Sequence, residues 1–531
     1  MGKLNLKPKV ENEEDVSKSL FVNKANFSNN KIEYVSKAFQ GAFPDLQASV
    51  GFESMKVLPK ENAIAKSFVA GTGITPDTQP DGAALRTESL DNDVKIVTWG
   101  PRNFTILADI ARQPINQTVA KYVVYYNHGK VGHTLFQPEI GLGRLSQPNL
   151  KQKTVTMKFL ATPAQTSMVM QRANVIEDPI AVQEMAAMNR LGKTLEWAIF
   201  YGDSDLTDGE VQSGYEFDGL TKLIDDENVI DQRGGALTPA LLNKAATYVA
   251  VNGYGTPNVA YMPTGVKADF VNQYLEAQRV LVPNNQQGGM EAGLTVDSFR
   301  SVRGGIALRD SAIMDLDNVL DENAVPEDNA PLTPSVTANA VTDKGGQFLA
   351  NDIKDSDGNI VVPAEVGKTL SYKVVAVGDS DSAPSDAATA TVSAATDGVQ
   401  LTISLSPLAK KQPKYLAIYR ASLIDESLGK YYLIARVPMS EFDASAGTLT
   451  FVDVDDRIPG TADVFVGEMS PEVINLFEFL PVSKLNTAVV TDATNFALLW
   501  WGALRLSFPK RWVWIKNVRY ATKDTETKYG A

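Results

Sequence analysis

The chain has 531 residues, 44% of them hydrophobic and 21% charged, and its formal net charge is −13. It contains no cysteine and only two histidines, which excludes disulfides, thiolate nucleophiles and cysteine-based zinc sites and leaves little for most acid–base and metal chemistry. The length suggests about two to four globular domains, and the acidic balance opposes a general nucleic-acid coat or a protein that binds anionic membranes.

The N-terminal part of the chain predicts neither a membrane anchor nor a globular domain. No apolar run of about 18 residues predicts a transmembrane helix, and the first residues lack the apolar core of a secretory signal. Residues 1 to about 70 are polar and mixed, with an acidic cluster at 11–15 and a short helical pattern near 32–39. Residues 71–82 (GTGITPDTQPDG) predict a turn-rich connector. We therefore expect an extended arm.

A long hairpin is predicted next. Residues 121–127 (KYVVYYN) are aromatic and β-branched. After a glycine-punctuated middle, Val155, Met157 and Phe159 alternate with polar residues on the opposite face. We expect a two-stranded excursion over residues 115–160. Because an isolated hairpin is only marginally stable in water, we expect it to lie on a neighbouring subunit or domain.

The stretch from Asp178 to Asp203 is the strongest helix prediction in the chain. Asp178 can cap the first turn, Pro179 suits the first helical position, and Gly202 is the expected end. One apolar face is predicted from spacings of three and four residues: Ala181, Met185, Met188, Leu191, Leu195 and Ile199. Glycine costs about 0.5–1 kcal/mol relative to alanine inside a helix, so at Gly192 we expect a strand or adjoining segment to approach closely.

Strands and helices alternate after this helix, which indicates an α/β or α+β domain. Residues 237–250 predict a helix with Thr238 as its N-cap. Residues 257–275 predict a strand, a turn and a helix, and residues 294–311 predict a hairpin that turns near Gly304–Gly305.

A second composition begins after a proline-rich linker at residues 325–341. Short strands recur at regular spacing, at 370–377, 388–394, 399–405, 414–421, 430–437 and 448–454. They predict a β-sandwich of the immunoglobulin or fibronectin type III kind without the disulfide, which residues 458–471 would close.

The last part of the chain, from residue 468, is apolar and aromatic. As a free tail it would expose enough apolar surface to cause aggregation. We therefore expect it to pack into the first α/β body, which makes the sandwich an insertion into a discontinuous domain.

Searches for chemical motifs lead to no assigned site. His128 and His133 lack a flanking ligand set and are best interpreted as polar residues of the hairpin tip. Residues 203–210 (DSDLTDGE) hint at a calcium loop, but Asp208 occupies the position that needs glycine, so a solvated loop after the helix is favoured. Asp357–Gly358 predicts a turn. No dinucleotide loop, phosphate loop or nucleophile elbow occurs. We assign no catalytic, cofactor-binding or metal-ligating residue.

Basic and aromatic residues interleave near the C-terminus, a pattern that can bind nucleic acid. The members are Arg505, Lys510, Arg511, Trp512, Trp514, Lys516, Arg519 and Tyr520. Alternation along residues 511–516 is also typical of a buried strand at a sheet edge. We favour structural packing in which the basic side chains meet acidic neighbours, with DNA contact as the minor alternative.

Several longer stretches, in one order along the chain, resemble a known family. They are GITPDTQ (73–79), HGKVGH (128–133), LEWAIFYGD (195–203), EFDGLTKLID (216–225), ADVFVGEMSP (462–471) and KRWVWIKNVRY (510–520). The chain resembles the major capsid proteins of tailed bacteriophages with the HK-ninety-seven-like fold, most of all those of large contractile-tailed Twort-like phages of Gram-positive hosts. The resemblance covers residues 67–521.

The resemblance implies an α+β fold with named parts. They are an N-terminal arm (1–92), strands with an E-loop (93–160, the E-loop being about 115–160), a peripheral domain with a spine helix (161–215, helix 178–202), the first part of an axial domain (216–324), an immunoglobulin-like insertion on the outer surface (325–467) and a second axial/peripheral part with the C-terminus (468–531, of which about 468–508 is axial).

The implied function is structural. The chain would self-assemble into hexamers and pentamers of an icosahedral head that encloses double-stranded DNA, in the virion after assembly in the host cytoplasm. A portal protein, scaffold, protease and decoration proteins are implied partners; no enzyme activity, cofactor, metal or membrane is. Two alternatives remain: a surface adhesin whose sandwich binds host glycans, and a hydrolase with a carbohydrate-binding insertion, which would need a catalytic constellation absent from the sequence.

Overall fold

The computed structural model describes residues 103–519 except for 128–138, 141–148, 174–177, 208–214, 276–280, 284–289, 293–295, 317–318, 323–324, 327–329, 355–357, 359, 406–412, 425–429, 444–446 and 488–491. All described residues belong to one compact unit, Asn92–Ala531. The predictions for the N-terminal arm, for His128 and His133, for Asp357 and for Tyr520 lie outside the described residues.

The structure mixes helices and strands, as predicted. The helices are α1 (Ile106–Asp109), α2 (Met168–Arg172), α3 (Pro179–Tyr201), α4 (Leu220–Leu223), α5 (Pro239–Gly253), α6 (Thr264–Leu275) and α7 (Ile313–Leu316). The strands up to residue 310 are β1 (Ala111–Pro114), β2 (Val119–Asn127), β3 (Asn149–Thr156), β4 (Lys158–Ser167), β5 (Val229–Asp231), β6 (Val259–Met262), β7 (Leu281–Pro283), β8 (Met290–Ala292), β9 (Ser298–Ser301) and β10 (Gly304–Asp310).

The remaining strands belong to the later part of the chain. They are β11 (Ser335–Val341), β12 (Ile353–Lys354), β13 (Ile360–Val362), β14 (Thr369–Val377), β15 (Ala388–Thr391), β16 (Gly398–Ser404), β17 (Tyr415–Ala421), β18 (Tyr431–Pro438), β19 (Thr448–Asp453), β20 (Ala462–Gly467), β21 (Ile474–Asn486), β22 (Ala493–Leu506) and β23 (Trp512–Val518).

Helix α3, hereafter the spine helix, begins and ends where the sequence predicts. The Asp178 side chain accepts a hydrogen bond from the Ile180 N–H at 3.0 Å, and Pro179 opens the helix. At Gly202 the backbone is not left-handed; a Cβ atom there would lie 2.3 Å from the Phe217 carbonyl oxygen, so close packing requires the glycine. Close approach at Gly192 is also confirmed, because a Cβ atom there would lie 2.6 Å from Cζ of Phe104.

The spine helix lies on a four-stranded sheet with the order β1–β21–β22–β4. Strand β1 runs parallel to β21, and the other pairs are antiparallel. The C-terminal hairpin β21–β22 therefore pairs with strands that precede the spine helix. Within residues 468–508, for which the resemblance implies an axial or peripheral part, this hairpin joins the sheet under the spine helix. The sequence predicted that this apolar stretch packs into the body, but it predicted neither the two strands nor the sheet they join.

A six-stranded sheet with the order β5–β23–β20–β6–β10–β9 forms the second part of the body. Helix α5 packs on β20 and β23, with Thr238 capping it as predicted. The predicted strand–turn–helix (β6 and α6) is confirmed. The predicted hairpin is also confirmed (β9 and β10), although its turn falls at Val302–Arg303, just before Gly304.

Two strand predictions near the C-terminus need correction. Strand β23 is not at a sheet edge, because β5 and β20 flank it and both of its faces are largely buried. Strand β20 belongs to this body sheet, so residues 458–471 do not close the sandwich and the predicted boundary at residue 467 falls one strand too late.

The insertion between β10 and β20 is a two-layer sandwich. One sheet has the order β11–β16–β19, the other β15–β14–β17–β18, and they share one core that includes Tyr372, Leu401 and Ile418. Strand β11 lies within the stretch predicted as a linker. The first two sandwich strands, β11 and β14, lie in different sheets, whereas the first two strands of an immunoglobulin constant domain share a sheet. The sandwich is confirmed; the immunoglobulin strand order is not found among the described residues.

Strands β2 and β3 form the predicted hairpin, with Val119 opposite Thr156. The predicted shared face of Val155, Met157 and Phe159 is wrong at its end. Met157 is buried between β3 and β4, whereas Phe159 is mostly exposed beside Trp501. The alternation breaks there because β3 pairs with β2 and β4 pairs with β22.

Candidate assembly surfaces

The acidic loop after the spine helix is held by a lysine. The Lys222 ammonium contacts the carboxylates of Asp203, Asp205 (2.5 Å) and Asp218 (3.4 Å). Within the described ranges no cluster of histidine, cysteine or carboxylate side chains has metal-binding geometry. The described residues 203–207 form a loop whose carboxylates at Asp203 and Asp205 are paired with Lys222.

The C-terminal basic strip is engaged in ion pairs, as the packing interpretation predicted. Lys510 pairs with Glu227 at 2.5 Å, Arg511 pairs with Glu468 at 3.3 Å, and Lys516 contacts Asp456.

Arg505, the first member of the strip, donates to the Pro471 carbonyl oxygen at 2.8 Å, and burial lowers its pKa. These contacts favour structural packing over the alternative of DNA contact.

The hairpin β2–β3 carries an exposed apolar face. Val119, Val123, Tyr125 and Leu150 lie on this outward face and are between 42% and 63% exposed. The opposite face contacts the body, where the Tyr122 hydroxyl donates to the Leu506 carbonyl oxygen at 3.3 Å. A strand pair with so much apolar surface in solvent is typical of an association surface.

A second exposed apolar surface lies beside the spine helix. We call it the methionine patch; it consists of Met168, Val169, Met170, Met185 and Met188, which are between 39% and 73% exposed. Helix α2 packs against the spine helix. Met185 and Met188, predicted on one apolar face with Leu191, Leu195 and Ile199, are exposed among the described residues, whereas those three residues are buried. The described parts of this chain cover only the C-terminal half of the predicted face.

Glu196 is a functional candidate that the sequence reasoning missed. It is fully buried on the spine helix, and its Oε1 accepts hydrogen bonds from the Thr105 N–H and hydroxyl (both 3.1 Å) and the Ser311 hydroxyl (3.3 Å). Its Oε2 is buried without a partner. Burial raises the pKa of Glu196, and these hydrogen bonds offset part of that rise. The signal in the sequence was an acid with apolar neighbours on both sides, Glu196 between Leu195 and Trp197.

The insertion rests on the spine helix through Arg436, which was also missed. Its guanidinium pairs with Glu216 at 2.9 Å, donates to the Tyr201 carbonyl oxygen and stacks 4.5 Å from the centre of the Trp197 ring. A cavity of about 500 Å³ lies beside this contact, between the spine helix and the sheet that contains Tyr415.

A buried charge cluster ties the insertion to the six-stranded sheet. Arg420 pairs with Asp453 (2.7 Å), Glu365 (2.8 Å) and Asp455, and Asp455 also pairs with Arg233 of the body at 2.7 Å. Burial alone would lower the pKa of Arg420, but the carboxylates outweigh that effect and raise it. The insertion is therefore anchored to the body at both Arg436 and Asp455.

The fold and these surfaces define a structural subunit, with a charge-anchored insertion and two exposed apolar surfaces. No helix in the described part of the chain is long and apolar enough to cross a membrane. No protein-family model matches the chain.

Named relatives identify the family. A major capsid protein of Staphylococcus phage S25-3 is 45% identical over 458 residues, which is 86% of this chain and 95% of that protein. The major capsid protein of Staphylococcus phage K is 44% identical over 458 residues, with the same coverage. A protein of Enterococcus phage phiEF24C is 45% identical over 462 residues, 87% of this chain and 95% of that protein. The chain belongs to this family of phage major capsid proteins, and its role is structural.

Solved structures give more distant likenesses. The chain from Gordonia phage Cozz is 10% identical with a TM-score of 0.40, and 87% of this chain and 98% of that chain are covered. The encapsulin SrpI from Synechococcus elongatus PCC 7942 is 9% identical with a TM-score of 0.39, over 86% and 99%. The structural role rests on the sequence relatives, and their names do not favour the adhesin alternative.

Proposed function

We propose that this chain is the shell subunit of a phage head, with the HK-ninety-seven-like fold, and that it assembles into hexamers and pentamers around double-stranded DNA. The observation that carries the proposal is the exposed apolar face of the hairpin β2–β3, on a chain whose relatives are named major capsid proteins. A surface of this kind is stable in water when a neighbour buries it, so folding and association are coupled.

The parts of the subunit take the roles that the family resemblance implies. The hairpin is the E-loop and reaches a neighbouring subunit; the N-terminal arm adds further contacts. The six-stranded sheet is the core of the axial domain, and the sandwich is carried on the outer surface. A portal protein at one vertex, scaffold, protease and decoration proteins complete the assembly, which takes place in the host cytoplasm, and packaged DNA makes weak non-specific contacts.

Electron microscopy of the purified full-length chain under assembly conditions tests the proposal. We expect hexamers, pentamers or closed shells, and uniform monomers would overturn the proposal. Val123→Asp should abolish these assemblies because it places a charge in the buried contact. The matched control is Ile360→Asp, which changes an exposed apolar residue of the insertion and should leave assembly intact.

A further inference from the structure

We propose that the cavity between the insertion and the spine helix is a binding site for a small organic amine, which places one ammonium group at Asp381 and an apolar body against the aromatic walls. The site belongs to the folded subunit. This inference therefore goes beyond the proposed function and does not depend on assembly into shells.

The cavity exists because the insertion lies over the spine helix without filling the space between them. Ala417 and Leu433 of the insertion belong to its lining, as do Thr194, Leu195 and Trp197 of the spine helix. Its volume of about 500 Å³ falls within the range of roughly 300–1,000 Å³ that is typical of small-molecule sites. Protein interiors contain few voids larger than a water molecule, so a space of this size favours an occupant.

Aromatic side chains form much of the lining. They are Phe159, Trp197, Tyr215, Phe217, Tyr415, Tyr419 and Trp500. Two of these rings already hold a cation of the protein itself. The Lys414 ammonium lies 4.7 Å from the centre of the Tyr215 ring, and the Arg436 guanidinium lies 4.5 Å from the centre of the Trp197 ring. Because the face of an aromatic ring attracts a cation, most strongly where water is excluded, these walls suit a positively charged ligand.

Asp381 supplies the negative charge for such a ligand. The other carboxylate of the lining, Glu216, is already paired with Arg436 at 2.9 Å. Burial raises the pKa of Asp381, and none of the described residues offsets this rise with a positive charge or a hydrogen bond. The residue still reaches solvent, which places it at the open side of the cavity. An ammonium group bound there stabilises the ionised carboxylate.

The cations in the lining limit the ligand to one positive charge. Lys158 is only 9% exposed, and burial lowers its pKa, an effect that the attraction of Asp218 offsets in part. Arg436 is the second cation. Like charges repel strongly in surroundings of low dielectric constant, so a second ammonium group on the ligand is disfavoured. The apolar lining, including Val377 and Leu433, suits an uncharged body.

Isothermal titration calorimetry of the full-length chain tests the site with phenethylammonium chloride, which joins one ammonium group to a phenyl ring. We expect saturable binding of one molecule per chain. Phenethyl alcohol has the same skeleton without the charge and should bind about tenfold more weakly or worse, because it cannot pair with Asp381. Spermidine carries several ammonium groups and no ring, and it should also bind about tenfold more weakly because Lys158 and Arg436 repel it.

Three variants locate the binding in the cavity. Asp381→Asn keeps the size of the side chain and removes its charge, and it should weaken the binding of phenethylammonium about tenfold. Asp386→Asn is the matched control, because Asp386 is exposed on the same loop between β14 and β15 but lies outside the lining; binding should be unchanged. Thr194→Trp fills part of the cavity from an exposed position of the spine helix and should abolish binding. Circular dichroism checks that each variant is folded.

The opposite results overturn the proposal. If phenethylammonium shows no saturable binding to wild type, or binds equally well to the Thr194→Trp variant, the cavity is not an amine site. If phenethyl alcohol or the Asp381→Asn variant binds as well as the original pair, Asp381 does not hold the ammonium group. If spermidine binds more tightly, the restriction to one charge is wrong.

A further titration separates a small amine from a lysine side chain of another protein. Nα-acetyl-lysine N-methylamide represents that side chain, and tighter binding of this compound than of phenethylammonium would overturn the assignment to a small amine. None of these measurements requires shells, so their failure is distinguishable from a failure of the proposed function.

Discussion

Replacement of Arg420 by methionine should destabilise the insertion strongly. The guanidinium is fully buried and contacts three carboxylates, those of Glu365, Asp453 and Asp455, which are themselves buried. Methionine is unbranched and uncharged, so it replaces the apolar stem of the arginine but leaves the carboxylates without their shared cation. The variant therefore removes the charge and the hydrogen bonds of the guanidinium and keeps most of the apolar contacts of the stem.

The loss of stability expected for Arg420→Met depends on which partners the three carboxylates keep. Removal of one partner from a buried ion cluster costs about 3–5 kcal/mol, because uncompensated charge stays in the interior. Asp455 retains Arg233 at 2.7 Å, and the Tyr372 hydroxyl still donates to Asp453 at 2.9 Å. These contacts place the expected loss near the lower end, at about 3 kcal/mol.

Urea denaturation of the full-length chain, followed by circular dichroism, measures this loss. Lys368→Met is the matched control: Lys368 is an exposed lysine of the same sandwich, and its replacement should change stability by about 0.5 kcal/mol or less. The Arg420 variant should also regain stability as the pH falls, because protonation removes the uncompensated charges. A loss below about 1 kcal/mol at neutral pH would refute the argument that this cation holds the cluster together.

Three further perturbations follow from the structure. Gly192→Leu should cost about 1–3 kcal/mol by overpacking and lower particle yield, whereas Gly305→Leu, where nothing lies within 4 Å, should not; equal yields would contradict the close approach. The pKa of Glu196 is higher in the folded protein than in the unfolded chain. The contribution of Glu196 to the free energy of unfolding is therefore complete below the unfolded-state pKa and is lost as the pH rises through the folded-state pKa. Glu196→Gln should remove that dependence, so the urea midpoint of the variant should rise relative to wild type as the pH rises above the ordinary range of a glutamate, and parallel curves for the two proteins would contradict this prediction. Arg436→Ala should increase hydrogen exchange around Trp197 while the insertion core stays protected, and unchanged exchange would show that this contact does not anchor the insertion.

The elements that depend on short-range rules were predictable. Asp178, Pro179 and Gly202 bound the spine helix because capping and the missing proline N–H act within one turn. Alternation identified most sandwich strands for the same reason, since the period of two is a property of the strand itself. Strand β11 was not predicted, because its small side chains, such as those of Ala338 and Ala340, are also typical of a linker.

The candidate surfaces were only partly predictable. The sequence pointed to the hairpin as a contact element, and the structure shows its exposed face. It placed Met185 and Met188 on one apolar face with Leu191 but did not predict their exposure, because periodicity shows which residues share a face and not what covers them. Glu196 and Arg436 were missed, since their partners lie far away in sequence, as with Ser311 for Glu196.

By itself, the sequence determined the capped spine helix, the two-part body interrupted by a sandwich, the exclusion of cysteine chemistry and, through its long motifs, the family. Only the tertiary structure decided that β20 and β23 are interior strands of one sheet, that β21–β22 lies under the spine helix, and that Arg420 is buried among three carboxylates. The physical reason is the distance along the sequence over which each kind of interaction acts. Caps, turns and periodicity act between residues a few positions apart, whereas sheet membership, burial and ion pairing depend on segments that come together only when the whole chain packs.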